Sequence, residues 1–318
     1  MNDRNKLRVW LRRLTVMVLL LVVLPFAADA LYAVVIHFRM KQWERSIVRD
    51  EDGVRLNASG YHVGEGRTAL LFVPGFAGPP NSFRPFTDIL GSDFSCYAMR
   101  LPGIAEPVTQ MRRIHHEQWI HAVIEKSESL KSKYEDVWLV GHSMGASVII
   151  CALHENPDLV DGIVLVAPLI RVAEDRSPLL PPRTWFDVVR RVSVFSDVIE
   201  MHMPLDAVSG DAEDLDDRDR FVSENMFIEL FAVIDRVHRA DTLTLDHPVL
   251  MVLAPGDRVV KMSAAESYLA RIEAPVRKVY YDHDSAHVIP IDGGREAVAH
   301  EIRRFIIGRV SQPEHVRE

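Results

Sequence analysis

Residues 137–155, VWLVGHSMGASVIICALHE, decide the fold of this chain. The first four are apolar and suited to a buried strand, the last ten have the composition of a buried helix, and Gly141-His142-Ser143-Met144-Gly145 joins them. A Gly-x-Ser-x-Gly run between a strand and a helix has the form of a nucleophile elbow, a sharp turn with the serine at its tip. Gly141 and Gly145 fit positions where the crowded backbone leaves no room for a side chain. The helix opening at Met144 directs its first amides, and the positive end of its dipole, at the point where negative charge develops if Ser143 attacks a carbonyl.

Outward from this turn, short apolar runs alternate with helical patterns. Candidate strands are residues 69–73, 94–99, 137–140, 163–167, 248–253 and 276–281. Several are continuously apolar, as parallel strands covered on both faces are. Helical patterns fall at about 80–90, 116–134, 144–155, 263–272 and 295–307. This alternation predicts an α/β fold with a mostly parallel, doubly wound sheet, to which Val54 to Tyr61 adds an antiparallel edge strand. Between Pro168 and His247 the alternation stops. Two amphipathic segments there, 185–199 and 227–240, flank the acidic run GDAEDLDDRDR at 210–220. Because strands resume afterwards, residues 168–247 read as a helical cap inserted into one domain spanning 54–310. The acidic run lacks the alternating ligands, central glycine and terminal glutamate of a calcium loop, and reads as solvated charge.

A serine hydroxyl is a weak nucleophile near neutrality and needs a histidine base, itself oriented by a carboxylate. On a sheet of this kind the chain order is serine, acid, histidine. Asp257, in LAPGDRVV, follows the strand at 248–253, and His287, in DHDSAHVIP, follows the last strand. Both loops leave the C-terminal ends of strands, the edge where such sheets bind ligands. His283, Asp282 and Asp284 are the neighbouring alternatives. An oxyanion hole takes one amide from the residue after the nucleophile, Met144, and one from the loop Pro74-Gly75-Phe76-Ala77-Gly78, where Phe76 is the candidate. His142 sits beside the nucleophile on a turn that points it elsewhere, and reads as packing. His115 and His116 open a helix, are expected to face solvent, and do not resemble metal ligands; no metal is expected.

Of 318 residues, 48% are hydrophobic and 26% charged, which excludes collagen-like and disordered classes. Cys96 and Cys151 are too few for a disulfide framework, lack metal-finger spacing, and are expected as reduced core residues. The net charge of −8 divides into +4 for the first thirteen residues and −12 for the rest. Nucleic acid is thereby excluded as a partner, since binding it needs a basic surface that displaces counterions. The basic start precedes an apolar run from Leu14 to Ile36, interrupted by Pro25 and Asp29. As a helix this run is about 34 Å long, enough to cross a hydrocarbon core of about 30 Å. It reads as a transmembrane signal anchor (14–36), with a basic cytoplasmic tail (1–13), a linker (37–53) and a C-terminal tail (311–318). Arg12 and Arg13 beside the run place the main domain on the exported side of the inner (plasma) membrane. Ala28-Asp29-Ala30 admits the alternative of a cleaved signal peptide and a secreted protein.

Together, FVPGFAG (72–78), LPG (101–103), GHSMG, APGDRVV and DSAHVIPID resemble the α/β-hydrolase superfamily over residues of about 54–308. The likeness is greatest to its bacterial carboxylesterase and monoacylglycerol-lipase-like branch, of serine aminopeptidase S33 type. The resemblance implies hydrolysis of a carboxylic ester through an acyl-enzyme without a cofactor, with Ser143 as nucleophile, Asp257 as acid and His287 as base; the helical cap adds the expectation of a small-molecule ester whose apolar acyl or alcohol group binds beneath it. Pro74 stands where the pattern has His, Ala146 where a second Gly is frequent, and Ala286 where Gly precedes the histidine. Competing readings are an acyltransferase on the same triad, a non-catalytic binding protein of the same fold, and an aminopeptidase. The complete triad argues against the second, and the lack of an evident carboxylate for a substrate amine against the third. A dehalogenase would carry Asp at position 143.

Overall fold

A computed structural model describes residues 3–174, 177, 179–201 and 204–310; the expected tail at 311–318 lies outside the described residues. The chain begins with α1 (Asp3–Ser46), β1 (Tyr61–Val63), β2 (Thr68–Val73), α2 (Arg84–Leu90), β3 (Ser95–Ala98) and α3 (Val108–Met111). It continues through α4 (His116–Lys131), β4 (Asp136–His142), α5 (Met144–Glu155) and β5 (Gly162–Val166). The next stretch holds α6 (Pro182–Val192), β6 (Val198–Glu200), α7 (Ala212–Leu215), β7 (Phe221–Ser223) and α8 (Glu224–Arg239). Then follow β8 (Leu243–Thr244), β9 (Val249–Leu253), α9 (Met262–Leu269), β10 (Ile272–Glu273), β11 (Arg277–Tyr281) and α10 (Arg295–Val310).

The main sheet has the order β1-β3-β2-β4-β5-β9-β11 and is parallel except for β1. Every residue of β2, β5 and β9 is buried, which explains why these strands are apolar throughout rather than alternating. The covering helices pack in groups, α2 with α10 and α5 with α4 and α8. The antiparallel edge strand lies at Tyr61–Val63 and not at Val54 to Tyr61. Asn57 has a φ of 65° and the Ala58 amide donates back to the Arg55 carbonyl, so the chain is still turning there.

Two features of the inserted stretch differ from the sequence reading. The helix starting at Pro182 stops at Val192, and residues 198–200 form β6, antiparallel to β7. What stops it is a long-range contact: the amides of Val194 and Phe195 and the Ser196 hydroxyl all donate to Asp29. Nor is the acidic run wholly solvated. Asp219 is 1% exposed, accepts the Ala105 amide at 2.7 Å, and faces Arg55, which also holds Asp217. Burial pushes the Asp219 carboxyl up to about 6. Its own amide donates to the Ala77 carbonyl at 2.9 Å, so this loop braces the turn that follows β2.

Helix α1 runs on to Ser46, so the residues expected to begin a linker at 37 are helical. Side chains from Leu14 to Leu24 are exposed and, apart from Thr15, apolar. From Asp29 onward one face is covered: Asp29, Ala33, Ile36 and Met40 are buried, three or four residues apart as one helix face requires. The docked half is fixed by Arg39 to Glu200 (2.8 Å), by Trp43 against Phe221 (5.5 Å between rings), and by Glu44 accepting the Val108 amide (3.0 Å). Removing Ile36 and Met40 gives up about 3 to 6 kcal/mol of apolar burial. A chain beginning at Ile47 is therefore expected to melt about 10 °C below the full chain in the same detergent. Equal melting temperatures in a differential scanning experiment would mean that α1 contributes nothing to the fold.

Candidate active site

Ser143 caps α5 with φ 53° and ψ −118°, a left-handed backbone that a residue with a Cβ adopts at a cost of about 1 to 3 kcal/mol. The surroundings enforce it. The Ser143 amide donates to the Val166 carbonyl of β5 at 2.9 Å. A Cβ on Gly145 would lie 2.2 Å from the Val73 carbonyl oxygen, and one on Gly141 would lie 2.7 Å from the Ala146 backbone. Both glycines of the motif are thus required by close approach, and α5 sits directly against the end of β2.

The loops after β9 and β11 meet at this turn. The His287 Nε2 lies 3.0 Å from the Ser143 Oγ, and its Nδ1 lies 2.8 Å from Oδ2 of Asp257. Asp257 Oδ1 accepts the amides of Val259 and Val260 at 2.8 and 2.9 Å. Burial alone would raise the Asp257 carboxyl, but the facing imidazole and these two amides outweigh it and hold the group below its ordinary range. An ionised Asp257 accepts a hydrogen bond from the Nδ1–H of His287, which leaves the lone pair of Nε2 facing the serine hydroxyl. Asp257, and not Asp282 or Asp284, is therefore the carboxylate that meets the imidazole. His142 is a different case. Burial and the neighbouring His287 push its imidazole down to about 3, and its Nε2 donates to the His287 carbonyl at 2.9 Å, so it braces the histidine loop as a neutral ring.

Phe76 and Ser143 line one cavity, and neither the Phe76 amide nor the Met144 amide donates to an acceptor among the described residues. The cavity has a volume of about 370 Å³, within the range of small-molecule sites. Ser143 and His287 form part of its wall, and most of the rest is apolar: Phe76, Leu169, Val172, Phe227, Leu230, Phe231 and Val288 among others. The α8 rings reach across to the loop after β2, with Phe76 and Phe227 4.8 Å apart. Asp206, Asp216, Asp217, Arg218 and Arg258 supply a polar side. Each of the first three carboxyl-bearing residues is engaged: Asp216 by Arg218 through two oxygens, Asp217 by Arg55, and Asp206 by the Arg258 amide.

Sequence reasoning missed Asp292. It is fully buried and accepts the amides of Ala286, Val208 and Ser209, tying the histidine loop to the cap. Its place in DSAHVIPID was the only available signal. His115 is exposed as expected, but His116 is not: its ring and amide both bond to the Glu229 carboxylate of α8, at 2.7 and 2.8 Å. His116, Glu117 and Glu229 bring potential ligand atoms within 4.8 Å of one another. A carboxylate engages each nitrogen of that ring, so the group reads as a tie between α4 and the cap.

A sheet of this order, a serine at the elbow after β4, and acid and histidine loops after β9 and β11 define an α/β-hydrolase. The chain belongs to the serine aminopeptidase S33 family, whose model matches residues 65–293. It is a hydrolase of the lipase/esterase type, similar to monoacylglycerol lipases. A thermostable monoacylglycerol lipase of Bacillus sp. (strain H-257) is 22% identical over 239 residues, 74% of this chain and 88% of the relative. Among solved structures, one of two metagenome-derived lipolytic enzymes matches with a TM-score of 0.70 at 17% identity, covering 80% of this chain and 99% of the other. A monoacylglycerol lipase of Paleococcus ferrophilus matches at 0.64 and 17%, covering 78% and 98%. At these identities the structures attest the fold.

The depressed carboxyl of Asp257 has a consequence for stability. A group whose folded pKa lies below its unfolded value adds stability above the unfolded pKa and loses it as the pH falls through the folded one. Asp257→Asn removes that contribution. The fall in melting temperature between about pH 5 and pH 2 is expected to be shallower in this variant than in the parent; identical acid limbs would show that the carboxylate is not held ionised.

Proposed function

We propose that the protein hydrolyses carboxylic esters with an apolar acyl group through an acyl-enzyme on Ser143. The observation that carries this reading is the unbroken Ser143–His287–Asp257 hydrogen-bond chain in the wall of an apolar cavity. His287 takes the hydroxyl proton at Nε2 as Ser143 Oγ attacks the ester carbonyl, and Asp257 steadies the imidazolium. The amides of Phe76 and Met144 receive the oxyanion. His287 then returns the proton to the leaving alcohol and later activates water against the acyl-serine. An apolar wall of this size favours an acyl chain, and the names of the relatives point to monoacylglycerols or similar lipid esters. The engaged carboxylates of the polar side leave none evident for a substrate ammonium, which weighs against aminopeptidase activity.

We also infer that α1 anchors the hydrolase in the inner membrane, with its domain on the exported side. The exposed apolar surface from Leu14 to Leu24 and the flanking Arg12 and Arg13 support this. So does Asp29, because cleavage after Ala30 would remove a residue that the fold uses.

Ser143→Ala is expected to lower kcat by about 10⁴ to 10⁶ and to abolish fluorophosphonate labelling with the melting temperature kept. Labelling that persists in this variant would move the nucleophile elsewhere. Asp257→Asn is expected to lower kcat by about 10⁴ with KM little changed, because the lost carboxylate sets the tautomer of the base and not the fit of the ester.

A further inference from the structure

A carboxylate in an apolar helix is costly, about 2.5 to 3.5 kcal/mol at the centre of a bilayer, so its partners locate it. Asp29 is 7% exposed, and its oxygens accept the Val194 amide (2.7 Å), the Phe195 amide (2.7 Å) and the Ser196 hydroxyl (2.6 Å). Further along the helix the Tyr32 hydroxyl reaches the Val198 carbonyl (3.5 Å) and Arg39 reaches Glu200 (2.8 Å). The helix is therefore gripped along one cap strip from Val194 to Glu200, beginning at Asp29.

The length of the span makes this position informative. Starting at Leu14, a helix needs about 20 residues to cross a hydrocarbon core of about 30 Å, which carries it to about Ala33. That is a full turn beyond Asp29. The lipid boundary then falls at or past the residue the cap grips, and the cap loop must lie level with it. The side chains at that level are apolar and uncovered. Val194 is 65% and Phe195 57% exposed, and Leu31, Val34 and Phe38 are exposed on the outward face of α1. A surface of this kind seldom faces water.

We propose that Val194 and Phe195, with the outward face of α1 at Leu31, Val34 and Phe38, form a lipid-contacting surface that Asp29 holds at the bilayer. The proposal rests on the anchor reading above. The bilayer is the occupant because the patch extends the exposed apolar side of the same helix, Asp29 being turned inward to the cap. The gripped strip leads directly into Met201, and the chain before it starts α6 at Pro182, both in the wall of the cavity. The strip of chain that carries the lipid-contacting side chains thus runs between two residues of the cavity wall.

The test uses the full chain in phosphatidylcholine vesicles, with Phe195→Cys carrying an environment-sensitive nitrobenzoxadiazole label. Cys96 and Cys151 are buried and leave position 195 as the reactive thiol. The expected result is emission several-fold stronger than from the same label at Ser132→Cys, an exposed site after α4, with quenching by lipids brominated near the headgroup. Adding Asp29→Ala should return the 195 signal toward that of the Ser132 label while the protein stays in the vesicles. A 195 label as water-exposed as the Ser132 label overturns the proposal, as does a signal that appears only at high protein density, which would mark a second copy of this chain. An unchanged signal in Asp29→Ala overturns the role of Asp29. Loss of residues 1–30 from the purified protein, read by intact mass, overturns the anchor reading and this proposal with it, whereas the activity of Ser143 is unaffected by either outcome.

Discussion

The strained backbone of Ser143 is the constraint around which the molecule is arranged. A serine at φ 53° persists only where its neighbours leave it no alternative. Here they do so through the packing of α5 on β2, close enough that Gly145 has no space for a Cβ. That packing lifts the hydroxyl to the C-terminal edge of the sheet. The strand order then decides what can meet it: β2 lies on one side of β4, and β5 followed by β9 and β11 on the other. The loop carrying Phe76 therefore approaches from one side, and those carrying Asp257 and His287 from the other.

Loops at a sheet edge are not rigid in themselves, and buried carboxylates fix these. Asp292 holds the amides on both sides of the histidine loop and the cap, Asp257 holds the turn in which it lies, and Asp219 braces the turn after β2 through its backbone. Each accepts backbone N–H donors, and a hydrogen bond to a charged group is worth about 1.5 to 3 kcal/mol. The brace from Asp219 also bears on Pro74. Where related patterns have a histidine in this loop, this chain supports the loop from the cap, through the Ala77 carbonyl.

Much of this was legible in the sequence, and several of the parts that were not share one physical cause. The elbow, the buried strands and the loops holding Asp257 and His287 are set by local signals: runs of apolar residues, a glycine-flanked serine, and the ends of strands. The end of α6 was not legible, because the helical pattern continues past Ser193 and only a carboxylate from residue 29 interrupts it. The same contact turns Asp29 from a blemish in an apolar run into a structural residue. The burial of Asp219 within an acidic run depends on Arg55, and the inward turn of His116 depends on Glu229. Partners more than a hundred residues away leave no mark on local composition.

Every chemical step of the proposed hydrolysis passes through an acyl group held on Ser143. Acid quenching of the wild-type protein during turnover of 4-nitrophenyl butyrate, followed by peptide mass mapping, tests it most directly. A butyryl adduct is expected on the peptide containing Ser143, formed in step with an initial burst of 4-nitrophenol. Steady turnover with no adduct, or with the adduct on another residue, would contradict it.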